Sequence, residues 1–327
     1  MSILAGDVGG TKTLLGLFDP RPSRPRQLVV RSFATVDYPD LQAMISDFST
    51  DPKVRDVDVE GACFGIAGPV IGESGKLTNA PWNVVAGDVA RAFAIQSVKL
   101  LNDLQATAYA VQFLEPTEFH VLQVGENRGG NAAVIAAGTG LGEALLLDVD
   151  GRLVSSPTEA GHADFAARTE LEIGLLKDLV QRFGRAEVEH VVSGRGLVNI
   201  HRTTHQTPCL LVNEDAPDAP ATITAAALEK RCPGCVAALE MFVDAYGAEA
   251  GNLALRSVAT AGVFVGGGIA PKILPALTDG RFIRSFVDKA PFEDMLRRIP
   301  VRVVLNDEAG LLGAAVCAAA AWAARTT

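Results

Sequence analysis

An apolar strand, a glycine–threonine turn and a second apolar strand occur twice in this chain, and that repetition restricts the fold more than any other feature. Ile3-Leu4-Ala5 lead through Gly6-Asp7-Val8 into Gly9-Gly10-Thr11, and residues 14–18 resume the apolar run. Residues 132–137 lead into Gly138-Thr139-Gly140, and 143–147 follow in the same manner. Such an internal echo predicts a duplicated α/β unit. Further strands are expected at 28–33, 62–66, 98–101, 120–124, 263–265 and 301–305. Helices are expected at 41–48, 88–93, 104–114, 170–183, 188–201, 222–230 and 236–256, with an alanine-rich one at the C-terminal end. Strands alternating with helices argue for sheets covered by helices, and 327 residues favour two domains.

Composition removes several classes of function. A net charge of −9 gives no general attraction for phosphate backbones, so nucleic-acid binding is not expected. Five cysteines at irregular spacings do not make a disulfide framework and fit a reducing compartment. The N-terminal residues lack the basic and apolar pattern of an export signal. The longest mostly apolar run, 310–324, is shorter than the ~18–20 residues a membrane span needs and reads as a buried helix. A cytoplasmic protein without membrane partners is therefore expected.

Three glycine clusters stand at the ends of apolar strands: Gly9-Gly10-Thr11, Gly138-Thr139-Gly140 and Gly266-Gly267-Gly268. Glycine there lets backbone amides approach a ligand, and turn amides form anion-binding concavities suited to polyphosphate. Each cluster alone is equally explained as a plain hairpin or βα turn. No P-loop pattern occurs, and Gly9-Gly10 opens a second strand rather than the helix of a dinucleotide site. Asp7 could hold a Mg²⁺ ion directly or through water, and Lys12 could add a point charge.

Asn102-Asp103 ends a buried strand, the position where α/β sheets place reactive groups. Asp103 could accept a proton from a hydroxyl, or it could simply cap the helix that follows. Glu159-Ala160-Gly161-His162 and Thr78-Asn79-Ala80-Pro81-Trp82 gather hydrogen-bonding groups that suit a polyhydroxylated ligand. Glu187 and Glu189 read as part of a solvated face. Cys232-Pro233-Gly234-Cys235 is the one C-x-x-C. With no second such pair and no His pair seen nearby, it is assigned to a turn between helices rather than to zinc.

These stretches together resemble the bacterial glucokinases of the hexokinase, actin and chaperone ATPase superfamily. The similar segments are GDVGGTKT (6–13), FGIAGPV (64–70), TNAPW (78–82), LLNDLQATAYA (100–110), AAGTGLGEALL (136–146) and TEAGHADF (158–165). They continue with EHVVSGRGLVNI (189–200), GNLAL (251–255), VFVGGGIAPKI (263–273) and PVRVVLNDEAGLLGAA (300–315), in family order along the chain. The resemblance implies an α/β fold of two ribonuclease-H-like (actin-like ATPase) domains with an interdomain cleft, a small one at 1–110 plus 306–327 and a large one at 111–305. It implies ATP as co-substrate, with Asp7, Gly9, Gly10, Thr11 and Lys12 and Gly138, Thr139 and Gly140 on the phosphates, and Gly266, Gly267 and Gly268 on the adenosine side. Asn79, Asn102, Glu159 and His162 would bind sugar hydroxyls. Counting back four residues from Ser193 adds Glu189, and Asp103 would be the base for the 6-hydroxyl. The implied cofactor is Mg²⁺, the implied partners are glucose, ATP and a second copy in a homodimer, and the implied activity is that of an ATP-dependent hexose kinase, glucokinase first. Kinases for another hexose or amino sugar, and a non-catalytic sensor on the same fold, are the alternatives.

Two departures from the family pattern stand out. Ala160 occupies a position that is usually Gly, and Arg195 one that is often Pro. A related family of repressors and kinases shares the DxGGT turn and often carries clustered Cys after the second-motif His, and its repressors add an N-terminal DNA-binding helix pair. Strand one begins here at residue 3 and no such Cys cluster follows His162. DNA binding is thereby disfavoured a second time.

Overall fold

The computed structural model describes residues 2–21, 23–78, 80–205 and 209–326. The chain divides into two compact units: Met1–Glu118 with Val154–Pro157 and Asn306–Thr327, and Phe119–Leu153 with Thr158–Leu305.

In the first unit β1 (Ser2–Val8), β2 (Lys12–Asp19) and β3 (Arg26–Ala34) form an antiparallel meander, because Gly9-Gly10-Thr11 turns the chain back on itself. The helix α1 (Leu41–Phe48) is started by Asp40, whose carboxylate accepts the Ala43 amide at 2.8 Å. It buries Leu41, Met44, Ile45 and Phe48, the 3–4 spacing of an amphipathic helix, each side chain contributing ~1.5–3 kcal/mol. β4 (Val59–Ile66) then runs parallel to β1. A small sheet of β5 (Val70–Ile71), β6 (Ser74–Lys76) and β7 (Asn83–Val85) precedes α2 (Ala86–Phe93) and β8 (Ser97–Asn102). The main sheet has the order β3-β2-β1-β4-β8 and feeds α3 (Asp103–Ala110).

The alanine-rich run is the C-terminal helix Ala309–Thr326, returning to this unit from the far end of the chain. Leu311, Ala314, Ala315 and Ala318 pack with Ile3, Ala5, Cys63 and Ala106. Small residues are required because the helix lies against α3: a Cβ at Gly313 would fall 1.6 Å from the Ala106 carbonyl oxygen. Among the described residues no helix is long and apolar enough to cross a membrane.

In the second unit β9 (Phe119–Gln123) is followed by β10 (Ala132–Ala137) and β11 (Leu141–Val149), and later by β13 (Gly262–Gly266) and β14 (Val301–Val304); β12 (Arg152–Thr158), of which Val154–Pro157 are grouped with the first unit, is the remaining strand of the sheet. The order is β12-β11-β10-β13-β14-β9. As β1 does in the first sheet, β10 pairs antiparallel with the next strand and parallel with a later one, so the duplication read from the two hairpins is present in the topology. Helices α4 (Glu170–Phe183), α5 (Gly194–Thr204), α6 (Ala219–Leu228) and α7 (Pro233–Ser257) supply most of the cover. The short helices α8 (Leu274–Leu277), α9 (Arg281–Val287) and α10 (Glu293–Arg298) lead into β14, and the C-terminal helix is α11.

The structure departs from the sequence reading in identifiable places. The helix expected at 104–114 ends at Ala110. The stretch 188–201 is a 3₁₀ turn, Val188–His190, and then α5, because the Ser193 hydroxyl accepts the Gly196 amide at 2.9 Å and so caps a new helix. β12, the small sheet and α8 to α10 have no counterpart in that reading.

Candidate active site

In the first unit the β1–β2 turn is pinned from one side. Thr35 donates its hydroxyl to the Gly9 carbonyl at 2.7 Å and its amide to the Thr11 carbonyl at 2.9 Å. Gly10 is half-buried and Thr11 and Lys12 are exposed, so the turn presents its polar groups outward. Asp7, one residue from the end of β1, is held uncharged further up the pH scale than a free carboxyl. Burial and then the neighbouring Asp103 carboxylate push its pKa up to about 6, against the opposing pull of Lys12.

Asn102 closes β8 and caps α3. Its Oδ1 accepts the Leu104 amide at 2.9 Å, Gln105 reaches back to the Asn102 amide at 3.3 Å, and its Nδ2 donates to the Gly68 carbonyl at 3.2 Å. The capping role that the sequence allowed for Asp103 therefore belongs to its neighbour. Asp103 is the first residue of the helix, where its Oδ1 accepts the Leu104 amide at 2.8 Å.

The second unit brings two glycine clusters to one place. Gly138-Thr139-Gly140 joins β10 to β11, with the Gly138 amide on the Gly140 carbonyl at 2.8 Å. Gly267 has φ +83°, and a Cβ there would fall 2.3 Å from the Ala137 carbonyl oxygen, so only glycine fits. The buried Tyr246 hydroxyl ties both strands together, accepting from the Ala137 amide at 3.1 Å and donating to the Gly266 carbonyl at 3.3 Å. Between these turns and α5 and α6 lies a cavity of about 1330 Å³, lined by Gly138, Thr139, Arg195, Gly268 and Lys272 among others. Arg195, Lys272 and Arg202, the last paired with Glu214 at 2.8 Å, give it three cations that sequence reasoning did not assign to a phosphate. Only its place at a position often occupied by Pro marked Arg195 beforehand.

Glu159 and His162 flank a 3₁₀ turn, Ala160–His162, whose position is relayed from β11 through Thr158: its hydroxyl donates to the Glu143 carbonyl at 2.9 Å and accepts from the Ala160 amide at 3.2 Å. Gly161 is buried with no room for a Cβ against the Leu141 carbonyl, whereas Ala160 is half-buried and is not among the residues with positive φ, so its extra methyl is accommodated. Glu189 is half-buried, and its Oε2 accepts the Leu141 amide at 2.7 Å, which joins this group to the glycine turn. His162, Glu187 and Glu189 bring ligand-type atoms within 4.8 Å of one another. Glu187 is thus not on a solvated face. It lies 3.2 Å from His162 Nδ1 and 3.4 Å from His190 Nε2, and the Arg185 guanidinium stands 3.9 Å from it as an ion pair. The sequence reading missed it because two acidic residues two positions apart carry no sign of which way the backbone turns. Asn79 lies outside the described residues.

Comparison with known proteins gives a consistent result. The sequence profile of the family described as Glucokinase matches residues 4–321. The glucokinase of Nostoc punctiforme is 38% identical over 338 aligned positions, covering 97% of this chain and 98% of that one. The crystal structure of glucokinase from an Antarctic psychrotroph is similar with a TM-score of 0.86 at 29% identity, over 97% of this chain and 98% of that one. A ROK family glucokinase from Streptomyces griseus, solved in complex with glucose and AMPPNP, shares the fold at a TM-score of 0.63 and 22% identity, over 97% of this chain and 99% of that one. The two α/β units are accordingly actin-like ATPase domains. With a profile matched over nearly its whole length and a relative alike from end to end, the chain belongs to the glucokinase family.

Proposed function

We propose that the protein is an ATP-dependent glucokinase, transferring the γ-phosphate of ATP to the 6-hydroxyl of glucose in the cytoplasm as an entry step to glycolysis. The observation that carries the reading is the cavity of about 1330 Å³ walled by both Gly138-Thr139 and Gly268, which is large enough for a nucleotide and supplied with turn amides and the cations Arg195, Arg202 and Lys272. Glucose and AMPPNP in the complex of the Streptomyces griseus relative support the same pair of substrates.

In the proposed reaction Asp103 accepts the proton of the 6-hydroxyl as that oxygen attacks phosphorus. The Leu104 amide fixes one of its carboxylate oxygens, and Asn102, already rigid as a cap, offers its amide to a neighbouring hydroxyl. Glu159, His162 and Glu189, joined by Asn79, hold the remaining hydroxyls. The β1–β2 turn with Lys12, the Gly138–Gly140 turn, Arg195 and Lys272 receive phosphate oxygens, and phosphoryl transfer needs mainly such positioning and charge neutralisation. Asp7 fits a Mg²⁺ ligand: burial and the neighbouring Asp103 carboxylate raise its pKa against the pull of Lys12, a concentration of negative charge that a divalent cation would offset, and Gly310 leaves room where a Cβ would fall 2.9 Å from Asp7 Oδ2. When bound, Mg²⁺ would offset the charge that builds on the transferring group. The reading carries with it a homodimer and no affinity for nucleic acid, the latter supported by the net charge of −9.

The test is ADP release by purified protein with Mg-ATP across a panel of hexoses and amino sugars. Glucose-dependent release that a chelator of Mg²⁺ abolishes is expected. Release no greater than in a sugar-free control overturns the assignment, and a strong preference for another sugar changes the substrate.

A further inference from the structure

The C-x-x-C of the sequence does stand in a turn between helices, since α6 ends at Leu228 and α7 begins at Pro233. The fold adds what the spacing concealed. The end of α5 arrives at the same place, and the ligand atoms of His201, His205, Cys209 and Cys235 all lie within 4.8 Å of one another. Cys232 completes the cluster, its Sγ 3.2 Å from His205 Nε2 and 3.8 Å from Cys209 Sγ. The expectation that no His pair lies near the motif is therefore corrected: His201 and His205 are four residues apart on one face at the end of a helix, some thirty residues upstream in sequence and adjacent in space, and Cys209 stands in for a second C-x-x-C.

The distances and the surroundings both match a metal. Bonds of about 2.3 Å to sulfur and about 2.0–2.1 Å to nitrogen, arranged tetrahedrally, separate two thiolates by about 3.8 Å and a thiolate from an imidazole nitrogen by about 3.6 Å. Both imidazoles are also oriented from behind. His201 Nδ1 is 2.6 Å from Glu214 Oε1, and its buried Nε2 has no hydrogen-bond partner among the described residues. His205 Nδ1 is 2.9 Å from the His201 carbonyl. An Nδ1–H given to a carboxylate or a carbonyl leaves the Nε2 lone pair pointing inward, which is how metal-bound histidines are held. Gly234 belongs to the same arrangement, since a Cβ there would fall 2.4 Å from His205 Nε2.

We propose that Cys209, Cys232, Cys235 and one imidazole of the His201–His205 pair bind a zinc ion. Five donors for four positions leave no place for an activated water, so the site is structural, fastening the end of α5 to the start of α7. It lies outside the groups assigned to sugar and phosphate, and it holds whether or not glucose is the substrate.

The experiment uses the full-length protein purified without chelator. Elemental analysis is expected to find a single zinc per chain. Chelator-stripped protein should gain melting temperature on adding Zn²⁺ but not Mg²⁺, and Co²⁺ should produce a thiolate charge-transfer band with the visible bands of a tetrahedral ion. Cys209→Ser and Cys232→Ser each remove a thiolate, so each should hold zinc more weakly and give a weaker cobalt charge-transfer band even with the second imidazole as replacement ligand, while Cys63→Ser, a buried cysteine of the other unit, should keep both at the wild-type level. Wild-type protein with zinc far below one per chain and no response in melting temperature or cobalt spectrum overturns the proposal. So does a Cys209→Ser or Cys232→Ser protein that folds and retains the full cobalt band. Should those variants fail to fold, the wild-type titration decides alone.

Discussion

Asn102 and Asp103 are adjacent, and the structure divides two tasks between them that the sequence left to one. Because Asn102 caps α3, Asp103→Asn should keep the melting temperature and lower kcat at least ~10²-fold, the scale of a lost general base. Asn102→Ala should cost about 1 kcal/mol of stability in urea unfolding as well as raising the KM for glucose. The same separation applies to the acidic pair near α5. Glu189→Ala should raise the KM for glucose by a factor of tens, with Glu187→Ala also weakening glucose binding because it holds His162, whereas Glu187→Gln, which keeps an acceptor, should retain most of it. A KM unchanged in both alanine variants would show that this group serves the turn and not the sugar. Glu143, buried in β11, gives a pH prediction. Burial and then Glu249 push its pKa up to about 8, while Arg256 opposes from 3.9 Å, the guanidinium being 2.7 Å from Glu249. Folded protein thus holds this proton more tightly than unfolded chain does, so the stability it contributes is whole below the usual carboxylate range and is lost as pH rises toward about 8. Denaturant unfolding should find Glu143→Gln more stable than wild type by roughly 2–4 kcal/mol at pH 9 and equal to it near pH 4.

Elements were legible wherever a local pattern was tied to a local cause. The helix at 41–48 has a capping aspartate and an apolar face at 3–4 spacing, and it forms as read. The two glycine hairpins are short-range features too, and both sheets are built on them. What escaped were elements defined by partners distant in sequence: β12, whose exposed alternation is weak, the four-residue α8, and the walls that α5 and α6 give the nucleotide-sized cavity. Gly138-Thr139 and Gly268 line one cavity because β10 and β13 are neighbours in the sheet. The zinc-type cluster was hidden for the same reason, its ligands coming from α5, from the segment after it and from the start of α7. Helix contact yields a further prediction. Gly313 leaves no space beside the Ala106 carbonyl, so Gly313→Ala must push α11 away from α3 and should cost ~1–3 kcal/mol in denaturant unfolding, despite the higher helix propensity of alanine. A neutral or stabilising result would mean that the two helices separate without loss of packing.

For the molecule as a whole, the division into units does not follow the order of the chain. Residues 119–153 and 158–305 supply five strands of the six-stranded sheet, all but β12, and its helices, whereas the first unit needs α11 to cover Ile3, Ala5 and Cys63. A chain truncated after Leu305 should therefore keep a folded second unit and expose the first, detected as new protease cleavage confined to residues 2–118, while linking 306–327 back onto 1–118 should restore protection. Cleavage spread evenly over both units would refute this. On the ribosome the arrangement sets a schedule. Strands β1 and β4 cannot be sealed by the helix that belongs to them until residues 309–326 have been made, so the sheet of the first unit must wait, one face uncovered, through the synthesis of everything between. A folding factor that shields that face would act early and be released only once α11 has emerged, and codon or temperature changes that slow the middle of the chain would lengthen the wait without touching any residue of the mature fold.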